Sequence, residues 1–307
     1  MASGKELKKR IKSVKNTSKI TKTMEMVATA KSKRMMDRVQ AARPYAEKIS
    51  EFMDTLGGLK DQIDSPFLFA REDYGTVALL VITANRGLCG GYNSNVLKMA
   101  RNRYNEYKEQ GKEVELHVIG KEGISFFKFL GLPGFKSYTN IDDKFAYEDS
   151  EEITLDLMDS FASGRVGRVE IVSTIFYSSA SQKPGIRPVL PLGAGEVIGS
   201  GETEPAPETE DAKAATAAQS DAAGVIFEPG PVEILENLIP LVIKTTFYRS
   251  LLEAVTAEQI YRRVAMKSAT DAAKEMNKIL TRTYNRIRQA SITQELSEIV
   301  AGADAIG

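Results

Sequence analysis

Two long helical patterns, one at each end of the chain, constrain the fold most. Between residues 7 and 56, the positions of one helical face, most of them small or apolar, follow one another in 14 intervals that span 49 residues. Residues 241–290 show the same spacing. A sustained period of about 3.5 residues predicts a left-handed coiled coil. The alternative is two ordinary helices of a bundle, but patterns of about 50 and 70 residues far exceed the mean helix of about 11 residues.

The predicted seam of this coiled coil mixes large apolar side chains with small and polar ones. Small residues allow the helices to approach closely but bury little apolar area, so packing at the seam alone does not stabilise the helix pair. In the first helix the predicted face is Leu7, Ile11, Val14, Ser18, Thr21, Met24, Ala28, Ser32, Met35, Val39, Ala42, Ala46, Ile49, Met53 and Leu56. In the second it is Leu241, Thr245, Tyr248, Leu252, Val255, Gln259, Arg262, Met266, Ala269, Ala273, Met276, Leu280, Thr283, Ile287 and Ala290.

Charge is strongly segregated although the formal net charge is zero. Residues 1–43 carry 13 Lys or Arg against 3 Asp or Glu, whereas residues 44–228 carry 18 against 29. Such a basic arm fits a nucleic acid, a mitochondrial presequence, a solvated helix face or an acidic protein surface. Because residues 1–43 contain no aromatic side chain on which bases could stack, we favour docking against an acidic protein surface.

The centre of the chain alternates strand and helix patterns, which predicts a doubly wound α/β domain. This Rossmann-like domain is expected at 57–230, inserted between coiled-coil helices at 1–56 and 231–307. Residues 199–224 are rich in Ala, Glu and Gly, without aromatics, and predict a solvated, mobile acidic insert. The predicted strands are 76–83, 114–119, 135–139, 168–177 and, less regular, 187–192; the predicted helices are 94–107, 121–130 and 148–162.

A glycine-rich turn follows the first strand at 85–93, where α/β proteins bind dinucleotide phosphates. The spacing of Gly87, Gly90 and Gly91 fits neither G-x-G-x-x-G nor a P-loop. A structural tight turn is therefore favoured over a nucleotide site.

Nothing in the sequence argues for catalysis. Cys89 stands at a helix N-terminus, which lowers a thiol pKa, but an inert thiol is favoured over a nucleophile. The single histidine, His117, alternates with apolar residues in a strand and is predicted to lie at the surface or the sheet edge. We expect no catalytic residue, no metal and no cofactor.

Three segments resemble the gamma subunit of the F-type rotary ATP synthase. They are ITKTMEMVATAK at 20–31 with ARPYAEKI at 42–49, RGLCGGYN at 86–93, and VAMKSATDAA at 264–273 followed by YNRIRQASITQELSEIVAGADA at 284–305. The resemblance implies a central shaft of two antiparallel terminal helices with a Rossmann-like domain at its foot. It also makes the glycine turn a family signature without a nucleotide. Chloroplast members carry a regulatory cysteine pair near 199–224; this chain has none there, so thiol control is not implied.

The resemblance also implies roles for residues on the helices. Arg288 and Gln289, with Met24 and Lys22, would grip one beta subunit at a time. An apolar tip would turn in an apolar collar, because burial energy depends on area and not on orientation. The tip residues are Ile292, Leu296, Ile299 and Val300, and the basic face that would meet acidic beta-subunit elements is Lys8, Lys9, Lys12, Lys15, Lys19, Lys22, Lys33 and Arg34.

The expected function follows from these roles. An asymmetric shaft would couple ion flow through a membrane c-ring to ATP synthesis or hydrolysis in three alpha and three beta subunits, the beta subunits doing the chemistry. Epsilon and delta subunits are further implied partners, nucleic acid is not, and the complex would lie on the cytoplasmic face of a bacterial inner membrane. Two alternatives stay open on sequence: a Rossmann-type nucleotide-binding enzyme with helical arms, and a basic coiled coil that binds nucleic acid.

Overall fold

The structure, a computed structural model, describes residues 4–55, 65–69, 74–132, 134–192 and 230–304. The predicted insert at 199–224, the predicted seam position Leu56 and the side chain of Met53 lie outside this description. Two helices dominate the chain: α1 is Gly4–Thr55 and α5 is Pro231–Asp304. Their lengths of 52 and 74 residues are those that the periodic patterns predict.

The chain divides into two compact units. The first contains the chain up to Ala30 together with the chain from Arg262 onward, and the second is Lys31–Tyr261. Both long helices therefore contribute to both units. The division differs from the predicted domain limits of 1–56, 57–230 and 231–307, which stay a prediction.

The second unit contains a five-stranded sheet in the order β3-β2-β1-β4-β5. The first four strands are parallel, and β5 runs antiparallel to β4 at the edge. The irregular fifth strand predicted at 187–192 begins earlier than expected and reverses direction. The strands are β1 Thr76–Ile82, β2 Glu113–Ile119, β3 Lys136–Tyr138, β4 Arg168–Phe176 and β5 Gln182–Leu190.

Helices cover both faces of this sheet, as the predicted doubly wound arrangement requires. They are α2 Tyr92–Glu109, α3 Lys121–Phe129 and α4 Tyr147–Ala162. Alternate side chains of β1 belong to different cores. Leu79 and Val81 pack with α2 and α3, whereas Leu80 and Ile82 pack with α4 and α5. Burial on both faces explains the continuous apolar run of this strand.

The prediction that His117 lies at the surface or the sheet edge is wrong. Its strand β2 is internal, between β1 and β3, and the side chain is 0% exposed. The ring is satisfied by polar neighbours, with Nε2 3.1 Å from Glu115 and Nδ1 3.2 Å from the Tyr138 hydroxyl. Alternation in the sequence identifies the two faces of a strand but not which of them is covered, and here helices cover both.

Candidate interaction surface on the paired helices

In the first unit α1 and α5 pair in opposite directions. The hydroxyl oxygens of Thr21 and Thr270 lie 2.8 Å apart, and a Cβ placed on Gly4 would lie 3.9 Å from the Tyr284 ring. Because the partner number rises along α5 as it falls along α1, the helices are antiparallel, as predicted.

Burial along α1 follows the predicted seam closely. Leu7, Ala28 and Met35 are buried, the seam positions between Leu7 and Ala28 are half-buried, and most intervening side chains are exposed. A pattern read from side-chain size and polarity alone therefore locates the contact stripe, because only a stripe with this period stays on one side of a helix.

The predicted seam of α5 is wrong at Leu241, Ala290 and Met276, all of which are exposed, and Met276 shows the reason. This side chain is 53% exposed, and the neighbouring Asn277 takes the half-buried place on the seam. The Asn277 side-chain oxygen Oδ1 is buried and has no hydrogen-bond partner in the part of the chain that the structure describes. The sequence favoured the apolar residue, whereas the helix geometry places the polar one against α1.

The basic face of α1 lies outside the seam and is exposed to solvent. All eight predicted members of this face are exposed. Among the described residues only Lys22 in this set forms an ion pair, with Glu25 at 3.0 Å on the same helix. Exposed lysines at helical spacing create a positive potential along one side of α1, which favours an acidic partner.

The predicted grip residues do not form one cluster in this chain. Arg288 and Gln289 are exposed near the end of α5, Lys22 is exposed on α1, and Met24 is half-buried in the seam. In the described part of the chain, no hydrogen bond or ion pair joins the side chains of any two of them. If they act together, a partner must join them.

The predicted tip residues are exposed apolar side chains. Ile292 is 48% exposed, Leu296 57%, Ile299 68% and Val300 58%. Every described side chain from Arg288 to Gly302 is exposed, so α5 has no covering neighbour over this stretch within the described chain. Large apolar side chains gathered on an uncovered helix are characteristic of a surface that another protein covers.

The glycine turn packs against α5. Ala84, Cys89 and Tyr92 form a buried cluster with Ala257 of α5, and Tyr261 packs on its edge. Gly90 has a positive φ of 57°, which favours glycine. Asn93 closes the turn: its Oδ1 accepts a hydrogen bond from the Ala84 N–H at 3.0 Å.

Helix α5 thus packs against the turn at which an α/β fold would admit a nucleotide phosphate. The Tyr92 and Tyr261 rings are 6.0 Å apart, and the Tyr261 hydroxyl donates to the Gln182 carbonyl at 3.3 Å. Cys89 is 2% exposed in this cluster, which fits an inert thiol. Among the described residues no group of three His, Cys, Asp or Glu side chains is placed to hold a metal ion.

Sequence reasoning missed two glycines, Gly120 and Gly123, that lie very close to Thr83. Gly120 has a φ of 96°, and a Cβ there would overlap the Thr83 carbonyl group. A Cβ on Gly123 would lie 2.7 Å from the Thr83 hydroxyl oxygen. Because these two residues have no side chain, the start of α3 can pack closely against the end of β1. The only sequence signal for them was one glycine directly after a strand and another in the first turn of a helix.

Buried charge in the α/β domain is also organised around one residue that the sequence did not single out. Glu170 accepts hydrogen bonds from Arg103 at 2.7 and 2.8 Å, from Tyr107 at 2.7 Å and from Arg168 at 2.7 Å. Burial alone would raise the pKa of Glu170, but these donors outweigh it and hold the pKa below its ordinary value. The cluster is saturated by its own members, so it serves packing of α2 against β4.

Comparison with known proteins agrees with this architecture. A family model described as ATP synthase matches residues 3–306. The chain is 51% identical over 306 residues to the ATP synthase gamma chain of Leptospira biflexa, covering 100% of both chains. It is 43% identical to the ATP synthase gamma chain of Gemmatimonas aurantiaca, covering 100% of this chain and 99% of the other.

Solved structures share the fold at lower sequence identity. A chain of the Euglena gracilis mitochondrial ATP synthase, in a structure of OSCP, F1 and the c-ring, matches with a TM-score of 0.65 and 18% identity over 99% of this chain and 94% of that one. A chain of the Tetrahymena thermophila central stalk and c-ring matches with a TM-score of 0.55 and 20% identity over 81% and 99%.

The full-length match to curated relatives decides the class. The chain belongs to the ATP synthase gamma-chain family, so the predicted resemblance to the F-type gamma subunit is confirmed. Within its described residues, no helix combines the length and the apolar character needed to cross a membrane.

Proposed function

We propose that this chain is the central shaft of an F-type ATP synthase. It couples ion flow through a membrane c-ring to ATP synthesis or hydrolysis in a ring of three alpha and three beta subunits. The observation that carries the proposal is an antiparallel helix pair whose longer member continues into an uncovered stretch bearing exposed apolar side chains. Such a stretch suits a rod inside a collar of other subunits.

The proposed mechanism is symmetry breaking. Three identical beta subunits around one asymmetric rod cannot all make the same contacts with it. Each set of contacts biases one nucleotide site, and moving a site from 1:99 to 99:1 takes about 5.5 kcal/mol of differential contact energy. Rotation then carries the bias from one site to the next. The chain itself performs no catalysis.

Exposure and charge support the division of roles along the shaft. The exposed lysines of α1 suit acidic beta-subunit elements, and Arg288 can hold a carboxylate through two hydrogen bonds. The tip, with Ile299 and Val300, offers an apolar surface whose burial depends weakly on angle. The proposed partners are the alpha, beta, epsilon and delta subunits and the c-ring. The identity to the gamma chains of the bacteria Leptospira biflexa and Gemmatimonas aurantiaca supports placing the complex on the cytoplasmic face of a bacterial inner membrane.

The grip can be tested by Arg288→Ala combined with Gln289→Ala in the assembled complex. Hydrogen bonds to a charged group contribute about 1.5–3 kcal/mol each, so losing this pair removes a large part of the about 5.5 kcal/mol that the bias requires. We expect lower ATP-driven proton pumping in inverted membrane vesicles for the same rate of ATP hydrolysis.

Arg282→Ala is the matched control, since it removes an exposed arginine from the same helix outside the proposed grip. It should leave pumping unchanged. Normal pumping by the double variant would contradict the assigned grip. Failure of the wild-type chain to co-purify with alpha and beta subunits would contradict the shaft role altogether.

A further inference from the structure

The part of α5 that packs on the sheet is buried on all sides. Every side chain from Ser250 to Ala257 is buried, including Leu251, Leu252 and Val255, which belong to the main core. Burial free energy depends on area and is not directional. Five of these eight buried side chains are apolar and lie around the helix, so turning the helix about its own axis would mostly exchange one buried apolar side chain for another. Apolar packing alone therefore defines its rotational orientation weakly.

Arg187, on strand β5 of the sheet, makes directional contacts to this stretch. Its Nη1 donates to the Ser250 hydroxyl oxygen at 2.7 Å, and its Nη2 donates to the Glu253 carboxylate at 3.1 Å. Residues three apart lie on the same face of a helix, so one planar guanidinium holds two neighbouring points of α5. Hydrogen bonds weaken steeply with misalignment, and two from one rigid group therefore define an angle.

Both acceptors are oriented by further contacts. The Ser250 hydroxyl donates to the Thr246 carbonyl at 2.8 Å, which leaves its lone pairs for Arg187. The Glu253 side chain is only 3% exposed and also accepts from Arg249 at 2.7 Å. A buried carboxylate that loses a cationic partner is strongly disfavoured, so rotation away from Arg187 is penalised.

The donor is held equally firmly. Arg187 pairs with Ile171 in the antiparallel ladder of β4 and β5, and β5 has no other strand beyond it in the described sheet. The backbone of the donor is thus fixed to the rest of the sheet. A rigid guanidinium on the sheet thus donates hydrogen bonds to two acceptors on the helix.

We propose that Arg187 is a positioning residue that fixes the rotational orientation of α5 on the α/β sheet, so that torque passes between the sheet and the helix without slip. This inference rests on the proposed shaft function. Lys244 and Glu151 also join α5 to the α/β domain, at 2.6 Å, but this pair is a single contact, and its carboxylate is 38% exposed against 3% for Glu253. It offers a matched control.

The test compares Arg187→Met, Arg187→Lys, Ser250→Ala and Lys244→Met in the assembled complex. The readout is the amount of proton pumping for each ATP hydrolysed in inverted vesicles, with assembly and thermal stability measured alongside. Arg187→Met should at least halve this ratio, and Arg187→Lys should lower it too because an ammonium cannot reproduce the fork. Ser250→Ala should lower it less, and Lys244→Met should leave it unchanged.

A residue that only stabilised the fold would reduce the amount of assembled complex and leave the ratio at its wild-type value. That outcome for the Arg187 variants would overturn the inference. If Arg187→Met does not assemble, Ser250→Ala decides, since it removes one hydrogen bond without stranding a charge. A wild-type complex that does not pump would overturn the proposed function, whereas normal pumping by every variant would overturn the positioning role alone.

Discussion

Replacing Gly120 by alanine measures how tightly the start of α3 is joined to the end of β1. Gly120 has a φ of 96° and a ψ of 141°, a region that side-chain-bearing residues avoid. A Cβ there would also lie 2.7 Å from the carbonyl carbon of Thr83 and would overlap its carbonyl oxygen. Since the obstacle is backbone, it cannot rotate away as a flexible side chain would.

The expected cost has two parts. The backbone conformation costs about 1–3 kcal/mol for a residue with a Cβ. Inserting a methyl group into filled space costs about 1–3 kcal/mol more. The sum is about 4 kcal/mol, and at about 2–4 °C for each kcal/mol in a unit of this size the melting temperature should fall by about 10 °C or more.

Gly111→Ala is the matched control for this measurement. Gly111 also has a positive φ, of 75°, but a Cβ there would meet nothing within 4 Å. It should cost only about 1 kcal/mol, the penalty of the left-handed conformation. Thermal unfolding of the purified chain, followed by circular dichroism, compares the two variants. Equal shifts in melting temperature would refute the argument that the Thr83 carbonyl makes Gly120 necessary.

Three further predictions concern titration and the helix seam. The hydrogen-bond donors around Glu170 outweigh its burial and lower its pKa, so the ionised carboxylate stabilises the fold above pH 4.5. This contribution is lost as the pH falls below 4.5. Glu170→Gln should therefore reduce the loss of stability that the chain shows on acidification. Burial lowers the pKa of His117 below its ordinary value of 6.5, so the neutral ring stabilises the fold above that pH. As the pH falls below 6.5, the wild-type chain should lose melting temperature faster than His117→Gln, and parallel curves of melting temperature against pH would count against this. Thr21→Val with Thr270→Val removes both hydroxyls of the seam pair and should change the melting temperature of the chain little or raise it, whereas a large loss would indicate that their hydrogen bond carries the pairing.

Family membership and the periodic helices were both accessible from the sequence, for different reasons. The motif RGLCGGYN at 86–93 and the C-terminal block identified the family because such strings do not arise by chance. The stripe on α1 was accessible because helical contact depends on the spacing of small and apolar side chains along one chain. Neither inference requires knowledge of which residues contact each other in the folded chain.

The positions that the sequence misjudged all depend on a neighbour distant in the chain. His117 looked exposed because alternation does not tell whether a helix covers the second face of the sheet. Met276 looked like a seam residue because it is apolar, yet the seam takes Asn277. The strand at 187–192 was placed too late, since pairing with β4 and not local composition sets its limits.

The sequence therefore sufficed for features that depend on the order of residues along the chain. These are two helices with a contact stripe of fixed period, a segregated basic arm, a centre of alternating strands and helices, and membership of the gamma-chain family. What the tertiary structure decided was which groups meet. It placed a helix against the glycine turn, Thr83 against Gly120, and Arg187 against Ser250 and Glu253. The physical reason is that periodicity is a property of a single helix or strand, whereas burial, clashes and buried hydrogen bonds are properties of pairs that only the folded chain brings together.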